Sequence, residues 1–163
     1  MYELLTLPDE RLRRVSQPVT TFDAKLHAFT ADLEAAMLAS TGGVGIAAPQ
    51  LGVLQRIIIV DCSLGLHKNK NHGRLIMVNL EIMEHDGEVL GREGCLSVPE
   101  WVGIVPRARR ITVRYQDLDG QVHELSTKAF EARVIQHEID HLDGILFIDK
   151  VVSTKDLIRR MEQ

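Results

Sequence analysis

The chain has 163 residues, of which 45% are hydrophobic, and its formal net charge at pH 7 is −4. A chain of this length suits one domain with a sizeable core, and the acidic balance argues against general affinity for DNA. Its two cysteines are too few for a disulfide framework, and no apolar run approaches the roughly 20 residues that a membrane-spanning helix needs. We therefore expect a single domain over residues 1–163 that does not cross a membrane.

Helical and extended patterns follow one another along the chain. Residues 23–40 carry apolar side chains at three- and four-residue steps, which predicts an amphipathic helix. Apolar or alternating runs then predict strands over residues 55–62, 75–80, 81–90, 111–116 and 121–126. A second helix is predicted over residues 128–142. Two helices with a set of mostly antiparallel strands make an α+β fold.

The second predicted helix contains His137-Glu138-Ile139-Asp140-His141, which reads H-E-x-x-H. Residues four apart lie on one face of a helix, so His137 and His141 can bind one metal ion. Glu138 reaches the same site and is placed to act as a general base. The pattern is typical of metal-dependent hydrolases, in which a metal-bound water attacks the substrate.

A catalytic metal site of this type needs a third protein ligand. Some metalloproteases supply a histidine six residues after the second one, but this chain has Phe147 there. The third ligand is therefore expected upstream, and the best candidate is Cys95, whose Gly and Ser-x-Pro flanks indicate a bent backbone near a site. Cys62 follows an apolar run and is expected to be a buried core residue. A structural metal site would need a fourth ligand, which the sequence does not provide, and it would give Glu138 no task.

A third segment, Gly42-Gly43-Val44-Gly45, permits close approach of a ligand to the main chain, although a simple turn is an equally good interpretation of it alone. Residues 43–50 read G-V-G-I-A-A-P-Q, residues 93–97 read E-G-C-L-S and residues 137–144 read H-E-I-D-H-L-D-G. In this order the three segments match the three motifs of the peptide deformylases. The chain resembles that family over nearly its whole length.

The resemblance implies a metal-dependent hydrolase that removes the N-formyl group from the initiator methionine of nascent polypeptides and releases formate. It also implies strands around a central metal-binding helix. One divalent ion is implied, with Fe²⁺ expected and Zn²⁺, Ni²⁺ or Co²⁺ compatible with the ligand set. The implied metal ligands are Cys95, His137 and His141. The implied catalytic residues are Glu138 as general acid and base, the Gln50 amide and the Leu96 backbone N–H. The implied substrate-binding residues are Val44, Gly45 and Gly94.

Further residues near the motifs are open to two interpretations. Phe130 and Val134 either contact the methionine side chain or pack in the core, and Trp101 either lines the pocket rim or packs. Asp140 either orients a metal-binding histidine or pairs with an arginine on the helix surface. Glu93 is expected to pair with an arginine that the sequence does not identify.

The expected partners are formyl-methionyl nascent peptides and, transiently, the ribosome. An arginine cluster comprising Arg107, Arg109, Arg110 and Arg114 is expected to decorate an exposed strand edge, with contact to ribosomal RNA as the alternative. The first residues lack the pattern of a secretory signal peptide, which favours a cytoplasmic location. An organellar location would fit if a targeting segment had been removed.

Overall fold

The computed structural model describes residues 2–40 and 42–160. The described residues form two α-helices, Ala24–Leu38 (α1) and Ala129–Leu142 (α2). In chain order, the strands β1 to β8 are Gly45–Ala47, Ile57–Asp61, Arg74–Asp86, Val89–Cys95, Val98–Arg107, Arg110–Gln116, Val122–Lys128 and Leu157–Arg159.

The strands form two antiparallel sheets. The larger sheet has five strands in the order β1-β2-β3-β6-β7, and the smaller has three in the order β4-β5-β8. Every pairing between these strands is antiparallel. The predicted α+β fold is confirmed. No helix within 2–40 and 42–160 is both long enough and apolar enough to span a membrane.

Strand β2 is buried on both of its faces, which explains its unbroken run of apolar residues. Ile57 and Ile59 belong to the core shared with α1, whereas Ile58 and Val60 belong to the core shared with α2. The two helices therefore cover opposite faces of the larger sheet. Helix α2 lies between that sheet and the smaller one, as the resemblance implied.

Helix α1 begins where Asp23 accepts a hydrogen bond from the backbone N–H of Leu26, which satisfies one of the free donors of the first turn. Its buried residues are Leu26, Phe29, Thr30, Leu33 and Met37, at the predicted three- and four-residue spacing. The helix is slightly shorter than the predicted range of 23–40.

The strand predictions differ from the structure in the middle of the chain. The predicted strand 75–80 and the first part of the predicted strand 81–90 are one long strand, β3, which ends at the break expected at Asp86-Gly87, and residues 89–90 begin β4. Strands β5 and β8 of the smaller sheet were not predicted, because β5 carries two prolines and lacks a regular alternation of apolar and polar residues. The segment at Cys95 is the end of β4, and a register shift between Gly94 and Cys95 produces the bend that its flanks indicated.

Candidate metal centre

The three predicted metal ligands lie together between α2 and the end of β4. His137 and His141 stand one turn apart on α2, with ring centroids 5.2 Å apart. The Sγ atom of Cys95 is 3.3 Å from Nε2 of His141. One potential ligand atom from each of the three residues lies within 4.8 Å of the other two. The chain thus brings a cysteine from the smaller sheet to two histidines of the central helix.

The ring of His137 is held by a carboxylate. Its Nδ1 is 2.8 Å from Oε1 of Glu93, which is buried. Because a carboxylate at this distance accepts a hydrogen bond from Nδ1–H, the lone pair of the neutral ring remains on Nε2, the atom that a metal would bind. Glu93, the first residue of the E-G-C-L-S segment, therefore orients a ligand supplied by α2.

Arg107 is the arginine that pairs with Glu93. Two of its nitrogens donate to the Glu93 carboxylate at 2.9 Å, and its third donates to Asp140. Its side chain is only 3% exposed. The expectation that Arg107 decorates an exposed strand edge was wrong, because the inward face of β5 turns it toward α2. Asp140 pairs with Arg107 and Lys150, so it does pair with an arginine, but it is buried and does not lie on the solvated surface of the helix as that interpretation expected.

The pKa values of the two histidines are shifted in opposite directions. Burial lowers the pKa of His141 and so favours the neutral imidazole, the form that binds metals. Burial opposes charge on His137 as well, but Cys95 and Glu93 outweigh it and raise the pKa of His137. Nδ1 of His141 is buried without a hydrogen-bond partner among the described residues. A soft thiolate and two imidazoles suit a divalent transition-metal ion, so these residues fit one.

Glu138 lies beside this cluster with an unused carboxylate oxygen. The residue is 5% exposed, and its Oε1 has no hydrogen-bond partner within the described residues. Burial raises the pKa of Glu138 to about 7. A carboxyl group with such a pKa can both accept and release a proton near neutral pH.

Gly45 gives Glu138 the room that it needs. A Cβ atom built on Gly45 would lie 2.7 Å from Oε2 of Glu138 and 2.9 Å from Cγ1 of Val134. Atoms cannot approach so closely without displacing one another. The position of the Glu138 carboxylate, in the third motif, therefore requires a glycine at position 45, in the first motif.

Gln50 is fixed with its amide nitrogen toward the cluster. Its Oε1 accepts a hydrogen bond from the backbone N–H of Ala47 at 2.9 Å. This bond places the oxygen of the amide toward Ala47 and its nitrogen toward the cluster. Its Nε2 then donates to Oγ of Ser97 at 3.1 Å and lies 3.7 Å from Sγ of Cys95. Gln50 is 2% exposed, so the amide is held in a rigid, buried position.

A cavity of about 280 Å³ opens onto the cluster. Eight of the nine predicted site residues line it, and the ninth, His141, lies behind Cys95. Phe130 and Val134 also line the cavity, which favours their interpretation as pocket residues, whereas Trp101 does not. A larger cavity of about 620 Å³, between the 70–72 loop and strands β3, β6 and β7, contains none of the predicted ligands.

Two residues at the site were not identified from the sequence. Phe147 is buried and stacks on the His137 ring, with centroids 6.1 Å apart, at the position where other hydrolases have a third histidine. Arg133 donates to Glu93 at 2.6 Å and to the backbone carbonyl of Val105 at 2.9 Å, which ties α2 to the smaller sheet. Its position four residues before His137, one helical turn away, is the only sequence signal that could have indicated this role.

A family model described as polypeptide deformylase matches residues 1–157. The chain belongs to the peptide deformylase family. It is therefore an enzyme, and its Cys-His-His cluster is the metal-binding site that this metal-dependent family requires.

Solved structures of deformylases have the same fold. A peptide deformylase from Legionella pneumophila is 38% identical, with a TM-score of 0.86, over 96% of this chain and 88% of that one. Peptide deformylase from Thermotoga maritima is 37% identical, with a TM-score of 0.85, over 94% of this chain and 99% of that one. Peptide deformylase from Thermus thermophilus is 39% identical, with a TM-score of 0.82, over 91% of this chain and 84% of that one.

Proposed function

We propose that this enzyme hydrolyses the formamide bond at the initiator methionine of nascent polypeptides and releases formate. The observation that carries the proposal is the buried carboxylate of Glu138, whose Oε1 has no hydrogen-bond partner in the described part of the chain, beside a Cys-His-His cluster. A structural metal site has no use for such a group, whereas amide hydrolysis needs a base that later acts as an acid. We also propose that residues 1–163 form one catalytic domain.

Each residue of the site has a proposed task. A divalent ion held by Cys95, His137 and His141 would lower the pKa of a water molecule and polarise the formyl carbonyl. Glu138 takes a proton from the attacking water and returns one to the leaving amine. The amide of Gln50 and the backbone N–H of Leu96 donate to the formyl oxygen as it gains negative charge, and such a donor is worth roughly 3–4 kcal/mol in the transition state.

The cavity accounts for substrate binding in this proposal. The peptide lies extended, and its main chain pairs with the backbone at Val44, Gly45 and Gly94, in the manner of an added strand. Phe130 and Val134 contact the methionine side chain. Phe130 is 41% exposed without substrate, which leaves apolar surface free for burial.

Formate release from formyl-Met-Ala-Ser tests the proposal. Protein loaded with Fe²⁺ in the absence of air is compared with metal-stripped protein, and we expect formate only from the loaded sample. Glu138→Gln should bind the metal and fold but lose at least 100-fold in kcat. Cys95→Ser should lose metal, whereas the matched variant Cys62→Ser should retain it. Formate production by metal-stripped protein, or by Glu138→Gln at the wild-type rate, would contradict the mechanism.

We propose Fe²⁺ for the working enzyme, as the family resemblance implies. The thiolate and the imidazoles accept several divalent ions, and the order of affinity does not determine which of them is used in the cell. Loading the stripped protein separately with Fe²⁺, Zn²⁺, Ni²⁺ and Co²⁺ and comparing kcat/KM tests the choice. Action on nascent chains further implies a cytoplasmic location and a transient ribosome contact, which co-sedimentation with translating ribosomes tests.

A further inference from the structure

Two arginines stand at the rim of the cavity, away from the metal ligands. Arg92 belongs to β4 and Arg160 follows β8 directly, and both are exposed and line the cavity. They come from opposite edges of the smaller sheet, β4 and β8, with β5 between them. We call these two residues the rim pair.

Strand register places the rim pair on one face of the sheet. Gly94 lies opposite Val102, and Val102 lies opposite Ile158. Arg92 is two residues before Gly94, and Arg160 is two residues after Ile158, so alternation turns all of them to the same face. The geometry at Gly94 agrees, because a Cβ built there would be 3.7 Å from Nη2 of Arg160. The Arg160 guanidinium therefore lies beside the backbone that the proposed substrate pairs with.

The positive charge of the rim pair is not neutralised by the described residues. Neither side chain forms an ion pair within 2–40 and 42–160. The acidic residues of the cavity lining are Glu93 and Glu138. Glu93 is engaged by Arg107, Arg133 and His137, and Glu138 is buried beside the cluster. The mouth of the cavity is thus cationic, although the whole chain is acidic.

We propose that the rim pair selects substrates that carry a carboxylate on the third residue, with the formylated methionine counted as the first. This specificity rests on the proposed function. The donor proposed for the formyl oxygen is at residue 96, so a peptide that leaves the cluster along β4 passes Gly94 and then Arg92. Two residues of an extended strand span about 7 Å, which is the distance between alternate substrate side chains. A side chain two residues beyond the methionine therefore comes within reach of the rim pair.

Peptides with amidated carboxyl termini isolate the effect, because the side chain is then their only added charge. We would measure kcat/KM for formyl-Met-Ala-Glu, formyl-Met-Ala-Gln and formyl-Met-Ala-Lys, and for the peptides with the same three residues at position two. The Glu peptide should exceed the Gln peptide by about two- to fivefold for each arginine at low ionic strength. The preference should decline in 0.5 M salt, because exposed charges are screened at about that concentration.

Variants of the rim pair test whether these two arginines cause the preference for Glu over Gln peptides. Arg92→Gln and Arg160→Gln should each reduce the ratio of Glu to Gln peptide, and the double variant should bring it to about one. Arg92→Glu combined with Arg160→Glu should reverse the order and favour Lys. Arg159→Gln is the matched control, because Arg159 is the exposed neighbour on the opposite face of β8 and does not line the cavity. It should leave the ratio unchanged.

Binding of the unformylated products separates this specificity from the proposed reaction. Dissociation constants of Met-Ala-Glu and Met-Ala-Gln amides, measured by calorimetry on metal-loaded protein, require no turnover. Absence of formate from every peptide would refute the proposed function, while the binding ratio would still decide the role of the rim pair. Equal binding and equal kcat/KM for Glu and Gln peptides, or a preference that survives in the double Gln variant, would overturn the inference.

Discussion

Single atoms decide the chemistry of this site at the residue scale. Glu138, His137 and Gln50 line the same cavity, and the amide nitrogen of Gln50 lies 3.7 Å from Sγ of Cys95. Glu93 holds the Nδ1 side of the His137 ring, and the backbone N–H of Ala47 holds the oxygen of the Gln50 amide. Such fixed orientation means that the groups need little reorganisation during a reaction.

Gly45→Ala should impair activity more than stability. The added methyl group overlaps Oε2 of Glu138, and a side chain can move aside more easily than backbone. We expect kcat/KM to fall at least tenfold, with a loss of about 1–3 kcal/mol in the free energy of unfolding. Gly73→Ala is the control, since Gly73 has open space around it but a positive φ of 71°, and it should lose stability alone. Wild-type kcat/KM in Gly45→Ala would contradict the tight fit.

The two cysteines should differ in reactivity toward iodoacetamide. Burial raises the pKa of Cys62 to about 12, so very little of the reactive thiolate is present at pH 8. Cys95 is only partly buried and should be modified in metal-stripped protein. A bound metal ion should protect it. Mass spectrometry of the alkylated peptides measures both sites, and labelling of Cys62 in the native protein would contradict its assignment as an inert core residue.

At the element scale, the site depends on how α2 is attached to β4 and β5. Glu93 of β4, Arg107 of β5 and Asp140 of α2 form a buried chain of charge-assisted hydrogen bonds. Arg133 adds a second link between α2 and the smaller sheet. The network fixes the position of β4, which carries Cys95, relative to α2, which carries the two histidines. The buried charges of Glu93 and Asp140 are compensated only when Arg107 lies between them.

Arg107→Met should destabilise the protein strongly. Removal of one partner leaves Glu93 and Asp140 buried with less compensating charge, which costs about 3–5 kcal/mol. Arg114→Met is the matched control, since Arg114 pairs with Glu124 on the exposed surface and should cost less than about 1 kcal/mol. Urea denaturation measures both. Similar losses in the two variants would mean that the buried network contributes no more than a surface ion pair.

Glu93 should make the metal-free protein sensitive to acid. Burial alone would raise its pKa, but bonds from His137 and Arg107 outweigh burial and lower the pKa from 4.5 to about 2. A lowered pKa contributes stability at pH values above 4.5, and this contribution, on the order of 3 kcal/mol, is lost as the pH falls toward 2. The free energy of unfolding of Glu93→Gln should depend less on pH in this window. Equal slopes for wild type and variant would contradict the assignment.

For the whole molecule, the metal centre is a junction between two sheets. Helix α2 packs its apolar side on the larger sheet and presents its histidines toward the end of β4 in the smaller sheet. A bound ion therefore connects the smaller sheet to the rest of the protein. Binding of this kind stabilises the folded state alone, because the unfolded chain does not bring Cys95 near the histidines.

Metal removal should lower the melting temperature. With free Zn²⁺ or Co²⁺ at 100 times its dissociation constant, binding adds about 2.7 kcal/mol, equivalent to about 5–10 °C for a chain of this size. Differential scanning calorimetry with and without a chelator measures the shift. Cys95→Ser should show a much smaller shift, and Cys62→Ser a full one. A full shift in Cys95→Ser would remove Cys95 from the ligand set.

Local periodicity and local motifs were sufficient to predict the helices, several of the strands and the two metal-binding histidines. The spacing of His137 and His141 determines that they share a helical face, and the apolar steps of residues 23–40 determine an amphipathic helix, because both depend only on the geometry of a single helix. The lack of a downstream ligand and the flanks of Cys95 then favoured it as the third ligand, and the family resemblance agreed, although no spacing rule connects it to the histidines.

The tertiary structure alone decided the partners of charged groups. The sequence could not show that Arg107 is buried while its neighbours Arg109 and Arg110 are exposed, because the pairing of β4 with β5 and the docking of α2 bring Glu93 and Asp140 to it. The same holds for Arg92 and Arg160, which are far apart in the chain and line one cavity only through the register of β4, β5 and β8. Local sequence patterns do not specify which charged groups meet, so the long-range packing of helix and sheets decides their partners.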